Sequence, residues 1–408
     1  MDMKRGIIHL RENDNACNQK DLPWGTLKGI RPTKIAMRLL ESDTSDDEII
    51  KFMCDKHSCS EEKAALSVAI VKQEADILKR FDYKNGYSLY VAIPFCPSIC
   101  LYCSFGSHLI KQYKSRVEEY LQTLFKEIEF AGQVFKDKRL DTIYIGGGTP
   151  TTLSANQLER LLSHICKSVD ISHLQEFTLE AGRPDSITKE KLTIIANSPV
   201  TRISINPQTM NQATLDTIGR GHTTLDVQDA FALARSMGFD NINMDLIVGL
   251  PHEDAKKVAH TLAEIKKLDP DSVTVHSLAL KRAARLALFK EEYESISFEN
   301  SQAIMDMTAK GARDMGMNPY YLYRQMNSAG DFENVGYAKE NKAGIYNILI
   351  MEEKQTILAV GAGGVTKLVF EDGKRVERVE NVKDINGYIL RIDEMIKRKR
   401  IGIDKWLK

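Results

Sequence analysis

The sequence predicts an α/β fold: a partial, open (β/α)6 barrel with an N-terminal helical region and a C-terminal α+β region. Three observations carry this. Six short β-rich runs, at 88–95, 142–146, 177–180, 202–206, 241–248 and 272–277, alternate with longer amphipathic stretches such as 116–135 and 253–268. Serial βα units imply a parallel sheet with right-handed crossovers; six give a curved open sheet where eight would close. Hydrophobic residues make up 43% of the 408, enough for a sizeable core. Most of the unusual residues also fall where the runs end, and parallel β/α folds collect their chemistry there. The expected divisions are 1–84, 85–280 and 281–408.

The first division is mostly polar and helical in pattern. Asp43, Thr44, Ser45 and Asp46 are cap candidates ahead of Ile49-Ile50, with Asp47 and Glu48 as early acids. The stretch 22–32 is rich in turn formers. The last division has helical runs near 299–315 and 383–398, and a strand-like pair at 344–350 and 356–360. The run Lys397-Arg-Lys-Arg400 reads as a solvated helix end.

Composition excludes several classes. Formal net charge is zero, so no global field recruits nucleic acid or an anionic membrane. No apolar run approaches the length of a membrane span, and the first residues lack the apolar core of a signal peptide. Seven cysteines without an export signal argue against a disulfide framework and for a reducing cytoplasm. Cys17, Cys54, Cys59 and Cys166 are scattered and read as ordinary thiols.

The remaining three cysteines are clustered. Cys96, Cys100 and Cys103 follow the first strand. An iron–sulfur cube takes one thiolate per iron, so three close cysteines hold three irons and leave the fourth open to a small ligand. Structural zinc, with His108 as a fourth ligand, and plain buried thiols are the competing readings.

Gly146-Gly-Gly-Thr-Pro150 follows the second strand. Such a run makes a tight turn, or opens backbone N–H groups to a ligand; no Gly-Lys-Ser/Thr follows, so it is not a P-loop. Glu180 ends the third strand and Asn206-Pro-Gln208 follows the fourth. Asp245 interrupts the apolar fifth strand, where a buried acid needs a partner. His276 closes the sixth, as a core histidine or a site residue. Gly361-Ala-Gly-Gly364 lacks the spacing of a dinucleotide turn and reads as a loop.

Together these residues resemble the radical S-adenosylmethionine superfamily, and more closely the oxygen-independent coproporphyrinogen III oxidases and their relatives. The matching stretches are Tyr90-Val-Ala-Ile-Pro-Phe-Cys96, Ile145-Gly-Gly-Gly-Thr-Pro-Thr151, Arg202-Ile-Ser-Ile-Asn-Pro-Gln208, Ile218-Gly-Arg-Gly-His222 and Met244-Asp-Leu-Ile-Val-Gly-Leu-Pro251. The 24–32 segment, Val275-His-Ser-Leu-Ala-Leu-Lys281 and Tyr320-Tyr-Leu-Tyr-Arg-Gln325 are similar to the HemZ-type branch.

The resemblance implies a [4Fe-4S] cluster on Cys96, Cys100 and Cys103, with S-adenosyl-L-methionine chelating the open iron. Tyr90, Gly147, Gly148, Thr149 and Glu180 would hold the methionine and ribose parts. Tyr102, Gln208, Arg220 and Asp245 match further contacts. It also implies the reaction: a 5′-deoxyadenosyl radical takes hydrogen from a substrate propionate, and loss of carbon dioxide and an electron leaves a vinyl group. A low-potential donor such as flavodoxin or ferredoxin would reduce the cluster.

Two positions depart from the well-studied oxidases. Phe105 stands at the place of a fourth cysteine, and Ala92 at that of a histidine. Arg183, Lys281, Arg282, Arg285 and Arg324 are candidate cations for a tetrapyrrole's carboxylates. The alternatives are a haem-binding or haem-delivery protein on the same fold, whose members also have Phe at the fourth-cysteine position, or another tetrapyrrole-modifying radical enzyme. The last histidine is His276, so no later imidazole is offered to haem iron.

Overall fold

The computed structural model describes residues 23–27, 31–103, 107–279, 298–325 and 328–407. The first strands are β1 (Gly86–Ile93), β2 (Arg139–Gly147), β3 (Glu176–Glu180), β4 (Arg202–Ser204), β5 (Ile242–Val248) and β6 (Ser272–Ser277). They are followed by β7 (Asn318–Arg324), β8 (Glu333–Ala338), β9 (Thr356–Val360), β10 (Val365–Phe370) and β11 (Arg375–Glu380). The chain divides into two compact units.

One unit comprises Phe81–Pro207, Gly219–Met244 and Gly344–Lys408. Its strand order is β11-β10-β9-β1-β2-β3-β4, then the first residues of β5. The pairs β1–β2, β2–β3, β3–β4 and β4–β5 are parallel, as the serial βα pattern predicts. β9 also pairs parallel with β1, and β10 and β11 continue antiparallel to the edge. β1 is buried at every position except half-buried Tyr90. That near-continuous burial is what a parallel sheet with two covered faces requires. The helix Val117–Val134 follows the cysteine loop and buries Val117, Tyr120, Leu121, Leu124, Ile128 and Ala131, an apolar stripe at helical spacing.

The other unit comprises Met1–Arg80, Gln208–Ile218 and Asp245–Ala343. Its strand order is β5-β6-β8-β7, with β8 antiparallel to both neighbours. Among its described residues the helices Thr33–Leu40, Asp46–His57 and Glu61–Leu78 follow one another, as the helical pattern there predicts. Ser45 is the cap of Asp46–His57: its amide and hydroxyl both donate to Glu48, at 3.1 and 2.6 Å. Buried Lys63 and Trp24 bind the two oxygens of the Glu333 carboxylate on β8, at 2.7 and 2.8 Å.

In neither unit does the strand order close on itself. One element is corrected. The 344–350 run is the helix Ile345–Glu352. Its apolar residues look β-like locally, but Tyr346 and Leu349, and Ile348 and Glu352, are buried at helical spacings. Its first N–H groups, Ile345 and Tyr346, are taken by the Glu176 carboxylate at 2.6 and 3.3 Å. The run 356–360 is strand β9, as expected. Among the described residues no helix is long and apolar enough to cross a membrane.

Candidate active site

The cysteine loop starts where β1 ends. Phe95–Cys96 pairs parallel with His108–Leu109, which closes the loop at its base. Cys103 N donates to Cys100 O at 3.1 Å, a tight turn inside it. No described cysteine is in a disulfide. Each sulfur of the loop faces a polar group. Thr149 Oγ1 lies 3.5 Å from Cys96 Sγ, and Ser107 Oγ lies 3.4 Å from Cys103 Sγ. Arg183 and Arg220 point Nη1 atoms at Cys100 Sγ from 3.7 and 4.0 Å. Burial pushes the Cys96 thiol up, and its bond to Thr149 opposes this.

His108, the fourth ligand in the zinc reading, has Nε2 3.3 Å from the Lys383 carbonyl. Among the described residues no three His, Cys, Asp or Glu converge on a single metal ion, the arrangement the zinc reading requires; a cluster instead takes one thiolate at each of three irons. Burial also raises the scattered thiols Cys54, Cys166 and, to about 12, Cys59.

The glycine run lies beside the loop. Gly148 N donates to Ile93 O at 2.8 Å, and Thr149 N to Phe95 O at 2.7 Å. A Cβ on Gly148 would sit 2.5 Å from Phe95 O, so this glycine is required by backbone packing. Gly147 has φ +107, a conformation that favours glycine, although a Cβ there would meet nothing closer than 3.4 Å. At the end of β3, Tyr144 donates to Glu180 Oε1 at 2.5 Å. Tyr144 stacks on Tyr90 at 6.0 Å and on Tyr346 at 4.6 Å between centroids. Burial and the Glu180 charge push Tyr90 above its ordinary range, so its hydroxyl stays protonated at neutral pH.

Arg220 ties the strand ends together. Its Nη2 donates to Gly182 O at 2.8 Å and Asn206 O at 2.6 Å, and its Nη1 to Tyr102 OH at 3.2 Å. Its buried Nε has no hydrogen-bond partner among the described residues.

Gln208 and Asp245 belong to the other unit. Gln208, at φ +68, extends the sheet beside β5: its N–H donates to Asp245 O at 3.0 Å. Asp245 Oδ2 lies 3.8 Å from His276 Nε2, and His276 Nδ1 lies 3.1 Å from Tyr323 OH. Gln325 Nε2 donates to the same hydroxyl at 3.3 Å. Burial raises Tyr323 to about 12.

Two of the candidate cations are committed elsewhere. Arg183 is buried against Asp185 and Ser98. Buried Arg324 donates to Leu27 O at 2.7 Å and to Asp331. Neither offers the open fork expected of a carboxylate receptor. Lys281, Arg282, Arg285 and Phe105 lie outside the described residues. The sequence reading missed Tyr144 and Tyr346. Tyr144 faces the same side as Gly146 by strand alternation, a signal that was available; Tyr346 was hidden in the misassigned run.

These groups fit an iron–sulfur cluster with a polar ligand beside it. Three thiols each have a polar neighbour suited to a thiolate, and the orphaned Arg220 Nε keeps one buried donor unspent. Comparison with known proteins points the same way. The family model described as Radical SAM superfamily matches residues 90–265. The Bacillus subtilis oxygen-independent coproporphyrinogen-III oxidase-like protein HemZ is 39% identical over 380 residues, covering 92% of this chain and 76% of that protein. The heme chaperone HemW of Lactococcus lactis is 38% identical over 239 residues, covering 57% of this chain and 60% of the chaperone. Among solved structures, coproporphyrinogen III oxidase (HemN) from Escherichia coli superposes with TM-score 0.60 at 22% identity, over 82% of this chain and 73% of that one, a likeness of fold.

Proposed function

The chain belongs to the oxygen-independent coproporphyrinogen III oxidase-like family of the radical S-adenosylmethionine superfamily, and from that membership we propose an enzyme that oxidatively decarboxylates coproporphyrinogen III propionates to vinyls. The observation that carries this reading is the loop of three thiols, each facing a hydroxyl or a guanidinium. When bound, a [4Fe-4S] cluster and S-adenosylmethionine would supply one-electron cleavage of a carbon–sulfur bond and removal of a substrate hydrogen.

The chain's own residues then have three tasks. Cys96, Cys100 and Cys103 would hold the cluster, with Thr149, Ser107 and Arg183 stabilising thiolate charge. Tyr90, Tyr102, Gly147, Gly148, Thr149, Glu180, Gln208, Arg220 and Asp245 would hold S-adenosylmethionine. Glu180 suits its ammonium or ribose hydroxyls, because Tyr144 fixes the carboxylate. His276, 3.1 Å from the Tyr323 hydroxyl and 3.8 Å from the Asp245 carboxylate, would position Asp245. In this proposal 85–280 is the catalytic stretch, 281–408 serves the substrate, and a cytoplasmic flavodoxin or ferredoxin supplies the electron.

Glu180→Ala retains the cluster and weakens S-adenosylmethionine by about ten- to a hundredfold, the value of a hydrogen bond to a charged group. Tyr144→Phe weakens it less, since the carboxylate stays but loses its orientation. Calorimetry on cluster-loaded protein checks both, and unchanged affinity in Glu180→Ala removes that residue from the site.

The second reading is haem delivery. It is favoured by the 38% identity to a heme chaperone. The two readings part in one assay: 5′-deoxyadenosine is measured with coproporphyrinogen III and, separately, with haem. The enzyme reading expects product only with the porphyrinogen. Tight haem binding with no 5′-deoxyadenosine from the porphyrinogen transfers the case to delivery.

A further inference from the structure

We infer that Arg183 sets the redox poise of the cluster through the Cys100 sulfur, acting as a tuning residue and not as a receptor for substrate carboxylate. This rests on the cluster reading above.

Arg183 follows β3 in Gly182-Arg-Pro184 and is 3% exposed. Asp185, two residues on, grips one side of the guanidinium: Nε to Oδ1 at 2.9 Å and Nη2 to Oδ2 at 2.8 Å. That bidentate pair fixes the plane of the group. It leaves Nη1 facing the cysteine loop, where it donates to Ser98 Oγ at 3.0 Å, lies 3.4 Å from Ser98 O and reaches Cys100 Sγ at 3.7 Å. Arg220 approaches the same sulfur from 4.0 Å.

The three sulfurs are therefore inequivalent. Cys96 and Cys103 face neutral hydroxyls, while Cys100 faces cationic N–H groups. Reduction adds negative charge that is shared with the ligating sulfurs. A cationic donor at one sulfur stabilises the reduced form more than the oxidised one and raises the potential. Arg183 and Cys100 are both buried, so the interaction is weakly screened. The neighbouring His222 does not offset it. Burial and the charges of Arg220 and Arg183 hold its imidazole neutral, near a pKa of about 3.

The test uses the full chain, reconstituted anaerobically without S-adenosylmethionine. Iron content, the electron paramagnetic resonance of the reduced cluster and its midpoint potential are measured for wild type, Arg183→Met, Arg183→Gln and Ser98→Ala. Arg183→Met and Arg183→Gln are expected to keep the iron and lower the reduced-to-oxidised ratio at fixed poise by about tenfold, about 59 mV for one electron. Ser98→Ala removes a loop contact without removing charge, so it leaves the potential near wild type. If Arg183→Met cannot hold iron, Arg183→Gln, which keeps an amide donor to Ser98, carries the measurement. A wild-type potential in whichever Arg183 variant holds iron overturns the inference, as does an equal drop in Ser98→Ala. Wild-type protein that binds no iron defeats the cluster reading instead, so the two failures are distinct.

Discussion

Alanine at any one of Cys96, Cys100 or Cys103 abolishes cluster binding, while wild-type protein reconstituted anaerobically is brown, oxygen-labile and carries about four irons per chain. The effect is all-or-none because three ligands already leave one iron open, and two cannot retain the cube. The surrounding structure makes each thiol specific. Cys96 is fixed by pairing with Leu109, Cys103 by its turn back to Cys100, and Cys100 by two guanidiniums. Alanine at Cys54 or Cys166, both distant in sequence from the loop, leaves iron content unchanged. Iron and acid-labile sulfide analysis checks the series. Wild-type protein that takes up zinc and no iron restores the zinc reading.

Glu127→Ala destabilises the protein by about 3–5 kcal/mol, the cost of stripping one partner from a buried ion pair. Glu127 and Lys399 are bonded and their side chains are 0% exposed. The carboxylate also accepts from Tyr388 OH at 2.6 Å, Gly361 N at 2.7 Å and Asn381 Nδ2 at 3.0 Å. Its loss strips the buried Lys399 charge, whose pKa burial already lowers, of its ion-pair partner, leaving it the Asn381 amide oxygen at 2.7 Å, and it orphans the Gly361 N–H. The damage reaches the site side of β1. Gly361 packs 2.5 Å from Ala92 O on the position of its missing Cβ, and Tyr120 OH bonds Ala92 O at 2.7 Å, in the strand that delivers Cys96. Urea unfolding measures the loss. Replacing both partners with apolar residues, Glu127→Leu with Lys399→Met, recovers part of it, because no uncompensated charge remains. A change below about 1 kcal/mol for Glu127→Ala shows that the network does not hold the fold.

The parallel strands were legible because buried strands between helices read as short apolar runs, and Ser272–Ser277 matches its predicted limits. The loop of three cysteines and the glycine run were legible because each is contiguous in sequence. The helix Ile345–Glu352 was not, because the carboxylate that caps it lies 169 residues earlier, at Glu176. β11 was missed for a different reason. Arg375-Val-Glu-Arg-Val-Glu380 is charged and partly exposed throughout, as an edge strand protected from further pairing should be. Arg183 was read as a carboxylate receptor because its acid partner sits only two residues on, a spacing that carries no helical signal; the bidentate pair with Asp185 appears only in the fold.

The measurement that tests the central claim most directly is product mass. Reconstituted protein is incubated anaerobically with S-adenosylmethionine, a reductant and coproporphyrinogen III. The account predicts that 5′-deoxyadenosine accumulates only with the porphyrinogen, and that each turnover lowers substrate mass by one carbon dioxide and two hydrogens. A porphyrinogen recovered at unchanged mass from protein with a full, reducible cluster contradicts it.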